Sequence, residues 1–153
     1  MAFDNRATFN SDVWRMDEYA VATRRALMSW EASPPSVDEF RRLVESTTCS
    51  DCTYECFFYA LPYVLDELER RPAIDQFEMV SMLDWKLINA VDANVSEACH
   101  DQLHAELDRI TGLLVKILSA SGCPSDVIKY NLGAIAALHG LPELGNEIHA
   151  IGE

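Results

Sequence analysis

Apolar residues recur along this chain at spacings of three and four, which is the pattern of amphipathic helices and not of strands. Cap residues, prolines and glycines mark the boundaries between the apolar stretches. The pattern predicts seven helices: Asp12 to Trp30, Val37 to Glu45, Tyr54 to Glu69, Gln76 to Val91, Glu97 to Ala120, Asp126 to His139 and Pro142 to Ala150.

The longest of these predicted helices, Glu97 to Ala120, carries the clearest apolar stripe. Its four inward positions, which we expect to be buried, are Leu103, Leu107, Ile110 and Leu114. Pro62 lies inside the third predicted helix and is expected to kink it or divide it in two. Ser36 and Glu39 match a capping box, and Asp75 is expected to cap the fourth helix.

No segment has the strict alternation of a strand, so the chain is predicted to be all-α. Because the loops are short, successive helices should form antiparallel hairpins, arranged as a HEAT-like stack or an irregular helical bundle. A length of 153 residues with 49% hydrophobic residues suits one domain over 1–153. Residues 1–10 show no periodicity and are expected to form a flexible arm.

The segment from Ala134 to Leu144, AIAALHGLPEL, resembles the junction between two repeats of HEAT-like α-solenoids. Small residues come first, followed by glycine and then by Leu-Pro. The resemblance extends over the C-terminal half of the chain and implies stacked hairpins. No repeat of fixed period is visible, which counts against an orderly solenoid.

Acidic residues outnumber basic ones by 25 to 12, which gives a formal net charge of −13. The acids are spread along helices that also carry apolar stripes, a pattern typical of a folded acidic surface and not of a disordered tail. Direct binding of nucleic acid or of an anionic membrane needs clustered Lys and Arg, so neither is expected. A basic protein is the expected partner.

The densest predicted acidic face lies on the longest helix. At 100° per residue, Glu97, Asp101 and Asp108 fall within about 40° of one another, with His104 near them. These four residues are the predicted partner-binding site.

Cysteine and histidine form one candidate metal cluster: Cys49, Cys52, Cys56, His100 and His104. A C-x2-C pair and an H-x3-H pair have zinc-ligand chemistry, but about 47 residues separate them, against roughly 12 to 15 in a finger. Cys56 and Cys99 are better interpreted as small buried residues. We therefore expect no metal ion, no cofactor and no disulfide.

Catalytic motifs are missing from the sequence, which has no Gly-rich phosphate loop, no G-x-S-x-G and no H-E-x-x-H. The chain is therefore expected not to be an enzyme. The start, MAFDNRATFN, lacks the basic and apolar regions of a signal peptide, and no apolar run approaches the roughly 18 residues of a membrane span. A cytoplasmic protein is expected.

Charge, size and helical class together make the chain similar to small acidic bacterial immunity proteins. The resemblance implies an immunity or antitoxin-type inhibitor that binds a basic, nucleic-acid-cleaving toxin. Two alternatives stay open at this point. One is a HEAT-like scaffold or adaptor that binds a peptide, and the other is a metal-dependent sensor or enzyme at the Cys and His cluster.

Overall fold

A computed structural model describes residues 18–47, 55–93 and 97–152 of the chain. Within these ranges it contains eight helices and no strand, which confirms the all-α prediction. Residues 1–10, predicted to form an arm, lie outside the described residues, as does the start of the first predicted helix. The helices are α1 (Glu18–Ser29), α2 (Val37–Ser46), α3 (Glu55–Arg70), α4 (Ala73–Ala90), α5 (Glu97–Ala105), α6 (Leu107–Leu118), α7 (Ser125–Leu138) and α8 (Pro142–His149).

The start of α2 follows from its cap, as predicted. Ser36 has an extended backbone, and its hydroxyl accepts a hydrogen bond from the backbone N–H of Glu39 at 3.1 Å. One turn further, the ring of Phe40 is fully buried and stacks on the indole of Trp30, with 5.8 Å between ring centroids. The cap and the aromatic contact together fix where α2 begins and which side of it is buried.

Helix α3 runs through Pro62 without being divided. Proline has no N–H, so the carbonyl of Phe58, four residues earlier, loses its usual helical donor. The side-chain amide of Gln102 donates to that carbonyl at 2.9 Å and replaces the lost bond. A proline is tolerated here because another helix supplies the missing donor.

A second proline marks the junction between α3 and α4. Pro72 is the N-cap of α4, and the carbonyl of Leu68, four residues before it, accepts the side-chain amide of Gln76 at 2.9 Å. The prediction that Asp75 caps this helix is wrong, because the helix begins earlier, at Ala73. Asp75 instead lies in the first turn, where its charge is favourable.

The predicted continuous helix from Glu97 to Ala120 is wrong. Two helices, α5 and α6, replace it, because Glu106 has φ −91° and ψ 0° and interrupts the helical hydrogen bonding. This interruption raises the number of helices in the described residues from the predicted seven to eight. It also places Leu107 in the first turn of α6, where its side chain is half-buried and not buried as predicted.

The other three residues of the predicted stripe are buried: Leu103, Ile110 and Leu114. They lie on two different helices, with Leu103 on α5 and the other two on α6. The periodicity therefore identified the inward side correctly on each helix but not the interruption between them.

The described residues divide into two compact units, each assembled from two segments of the chain. The first unit lies within Met1–Glu67 and Asn94–Leu103, and the second within Leu68–Ala93 and His104–Glu153. A single domain over 1–153 stays a prediction.

Aromatic rings dominate the interior of the first unit. Besides the stack of Trp30 on Phe40, the rings of Phe57 and Phe58 meet edge to face with centroids 5.8 Å apart. Both phenylalanines are almost fully buried. The first unit is thus held by large side chains contributed by α2, α3 and Trp30, which directly follows α1.

In the second unit, α7 packs against α4 and α8, and it meets α8 at a pair of glycines. A Cβ at Gly145 would lie 2.6 Å from the carbonyl oxygen of Gly133, and one at Gly133 would lie 2.9 Å from that of Gly145. The two helices are joined by a tight turn. Gly140 has φ +90°, and the N–H of Leu141 reaches the carbonyl of Ala136 at 2.9 Å, which is a Schellman ending.

Candidate functional site

Helix α5 has one buried side and one acidic side. Cys99 and Leu103 are buried in the first unit, whereas Glu97 and Asp101, one turn apart, are exposed. Glu97 is also the first residue of the helix, where a negative charge is favourable. The two carboxylates are therefore free to meet a partner without disturbing the packing of α5.

No cation of the described residues neutralises these two acids. Among the described residues, no Lys, Arg or His nitrogen lies within ion-pair distance of Glu97 or Asp101. Arg109, by contrast, is 2.7 Å from Glu69 and 3.6 Å from Glu106. No described side chain therefore competes with an external cation for these two carboxylates.

The remaining predicted contact residues, His104 and Asp108, belong to the second unit. Both are exposed, and Asp108 lies in the first turn of α6. Because the helix is interrupted at Glu106, the count of 100° per residue does not extend from Asp101 to Asp108. The structure therefore brings Glu97 and Asp101 together on α5, while Asp108 belongs to a different helix.

The candidate metal cluster includes two residues, Cys49 and Cys52, that lie outside the described residues. Cys56 and Cys99 are buried, as predicted. The ring of His100 stands edge-on to Phe58 with centroids 6.2 Å apart. Within 18–47, 55–93 and 97–152, no group of three or more His, Cys, Asp or Glu residues is arranged to hold a metal ion.

Sequence reasoning missed a cluster of three aromatic rings in the second unit, in which Tyr130 stacks on His149 and Trp85 is tilted against it. The imidazole of His149 on α8 lies between the indole of Trp85 on α4, at 4.9 Å, and the phenol ring of Tyr130 on α7, at 4.5 Å. Lys129 places its ammonium 4.8 Å from the centre of the Tyr130 ring and donates to the carbonyl of Ile151 at 2.6 Å. Periodicity marks each residue separately, but it gives no signal that three helices bring the rings together.

One carboxyl group is buried in the second unit without a partner. Asp84 on α4 has no exposed surface, and neither of its side-chain oxygens has a hydrogen-bond partner. Burial penalises the charged form and raises the pKa of Asp84 well above its ordinary value. Burial also raises the pKa of the Cys123 thiol, and the nearby charge of Asp126 adds to that effect.

None of the helices in the part of the chain that the structure describes combines the length and apolar character needed to cross a membrane. No protein-family model matches the chain, and no curated protein and no solved structure matches it either.

Proposed function

We propose that this protein is an acidic protein-binding module whose partner is a basic protein. The observation that carries the proposal is the pair Glu97 and Asp101 on α5, exposed, one turn apart and without a cation partner among the described residues. The buried side of the same helix, with Cys99 and Leu103, holds the pair on a packed element.

The overall charge supports the same proposal. A formal net charge of −13 on 153 residues costs stability through self-repulsion, and a basic partner relieves that repulsion on binding. Complementary charge also speeds the encounter between partners and disfavours acidic competitors. His104 and Asp108, exposed in the second unit, are proposed as further contacts.

The most specific form of the proposal is a cytoplasmic immunity or antitoxin-type inhibitor. A toxin that cleaves nucleic acid needs a basic surface because its substrate is a polyanion. An acidic helical surface competes for that same basic site. The nuclease activity of the captured partner tests this form of the proposal. One equivalent of the protein should abolish cleavage of nucleic acid by that partner.

Charge reversal on α5 tests the proposal. The wild-type protein is immobilised beside two variants, Asp101→Lys and, as a control with the same change of charge, Glu45→Lys at an exposed position of α2. Association of the partner captured from the source cells is then timed between about 0.05 and 0.5 M salt. We expect Asp101→Lys to slow association about three- to tenfold and Glu45→Lys to change it less than twofold.

The folds of both variants should be unchanged, because exposed substitutions alter the free energy of unfolding by about 0.5 kcal/mol or less. The proposal fails if the captured partner is acidic. It also fails if association is indifferent to salt, or if both variants slow it equally.

A HEAT-like scaffold or adaptor is a second candidate, favoured by the glycine contact and Schellman ending in the segment from Ala134 to Leu144. Such an adaptor holds a peptide mainly through apolar contacts. Its binding should therefore persist at 0.5 M salt. At that concentration the screening length falls to several ångströms, and a partner held mainly by charge dissociates.

A further inference from the structure

Helix α4 has an outer face whose side chains are exposed. At 100° per residue, Ile74, Glu78 and Trp85 lie within about 40° of one another. Ile74 is 71% exposed, Trp85 is 43% exposed, and Glu78 is also exposed. We call these three residues, with exposed Asp92 just beyond the end of the helix, the outer face of α4.

The tryptophan on this face is held firmly. His149 packs against its indole at 4.9 Å, and Tyr130 supports His149 from the next helix at 4.5 Å. A side chain that is already ordered loses little conformational entropy when a partner binds, so more of the contact energy contributes to affinity. Tryptophan is enriched among the residues that dominate protein interfaces.

The charges on the outer face lack cation partners. Neither Glu78 nor Asp92 lies within ion-pair distance of a cation in the described ranges. Three cations of the same unit have other partners: Arg71 pairs with Asp75, Arg109 with Glu69 and Glu106, and Lys129 with the carbonyl of Ile151. The face therefore combines an aromatic platform with uncompensated negative charge.

We propose that the outer face of α4 is a docking site for an arginine-bearing segment of a partner protein. A guanidinium stacks flat on an indole and forms ion pairs with carboxylates beside it, which a compact ammonium does less well. A second copy of this chain fits poorly, because Glu78 and Asp92 would meet a like-charged protein.

The spacing specifies the segment further. Glu78 precedes Trp85 by two helical turns, or about 10 Å along the axis. A helical segment with arginines seven residues apart matches that distance and places one guanidinium on Trp85 and the next near Glu78. This proposal concerns the second unit and does not depend on the acidic pair of α5.

The test uses a synthetic probe of defined chemistry. The probe is a labelled 15-residue helical peptide with blocked termini and arginine at its positions 1, 8 and 15, and its analogue has lysine at the same positions. Fluorescence anisotropy at physiological salt gives the dissociation constant for the full-length protein and its variants.

We expect Trp85→Ala to weaken binding of the arginine peptide at least tenfold, whereas Trp85→Phe, which keeps an aromatic face, should recover most of the loss. Lysine in place of arginine should weaken binding about three- to fivefold. Leu141→Ala is the matched control, because Leu141 is another apolar residue of the second unit, 54% exposed, and this variant should bind within twofold of wild type.

The docking site would be overturned by no binding to wild type up to about 1 mM peptide, by equal binding to Trp85→Ala, or by equal weakening in Leu141→Ala. Circular dichroism identifies any variant that fails to fold, and Trp85→Phe then decides the question. Asp101→Lys separates the two proposals, since it should bind the peptide within twofold of wild type. A large loss in that variant would assign the peptide to α5 and reject the outer face of α4.

Discussion

The first unit packs its helices through aromatic rings, whereas in the second unit α7 and α8 meet where side chains are absent. Phe58 is fully buried among rings, and its backbone carbonyl accepts a hydrogen bond from the side-chain amide of Gln102. Gly133 and Gly145 bring two backbones so close that a single methyl group on either would meet a carbonyl oxygen.

The difference predicts opposite sensitivities in the two units. A core filled by large rings loses stability when atoms are removed, because a cavity remains. A contact made by glycines loses stability when atoms are added, because nearby backbone cannot yield cheaply. Both units are all-α, so helix content alone gives no hint of this contrast.

The largest effect is expected from Phe58→Ala in the first unit. Removing a fully buried ring should lower the free energy of unfolding by about 3–5 kcal/mol. Urea denaturation followed by circular dichroism measures the change. Met28→Ala is the matched control, because Met28 is 46% exposed and its truncation should cost about 0.5 kcal/mol or less. Equal losses in the two variants would mean that the aromatic interior does not hold the first unit together.

A smaller loss, about 1–3 kcal/mol, is expected from Gly145→Ala in the second unit. The new methyl group would meet the carbonyl oxygen of Gly133 and the side chain of Ala137. The control is Gly112→Ala on α6, where nothing lies within 4 Å of an added Cβ. That variant should gain about 0.5–1 kcal/mol from helix propensity. If thermal unfolding shows that both variants change in stability with the same sign, the close contact between α7 and α8 is not the cause of the loss in Gly145→Ala.

The third effect depends on pH and concerns Asp84 in the second unit. Burial raises the pKa of this carboxyl in the folded protein, so its proton is bound more tightly there than in the unfolded chain. The resulting contribution to the free energy of unfolding is fully present below the unfolded pKa of about 3.9. It is lost as the pH rises through the folded pKa. Between those two values, the wild-type protein should lose about 1.4 kcal/mol per pH unit relative to Asp84→Asn. Denaturation curves for both proteins across this range measure the difference. If the free energies of unfolding of the two proteins changed in parallel with pH, Asp84 would be solvated in the folded protein.

Local signals predicted the parts of the fold that depend on neighbouring residues. The hydroxyl of Ser36 caps α2 as its sequence indicates, and Gly140 ends α7. The inward sides of the helices follow from apolar spacing, which is why Leu103, Ile110 and Leu114 were identified as buried.

Features created by contacts between distant segments could not be predicted. Nothing in the sequence around Glu106 is a helix breaker, so its interruption carries no local signal. Pro62 was expected to kink or divide α3, and only the position of Gln102 explains why the helix continues. For the candidate sites, charge indicated Glu97 and Asp101, but the cluster of Trp85, Tyr130 and His149 depends on the placement of three helices.

The path of the chain between the units bears on how the protein is made. The chain leaves the first unit after Glu67 and returns to it at residues 97–103, and in between it forms all of α4 for the second unit. Ribosomes deliver residues in order, at about 5–20 per second. The hydrogen bond from Gln102 to the carbonyl of Phe58 can therefore form only after a further 44 residues have been synthesised. A nascent chain that ends before α5 carries an unfinished first unit. Synthesis of the second unit therefore begins before the first unit is complete.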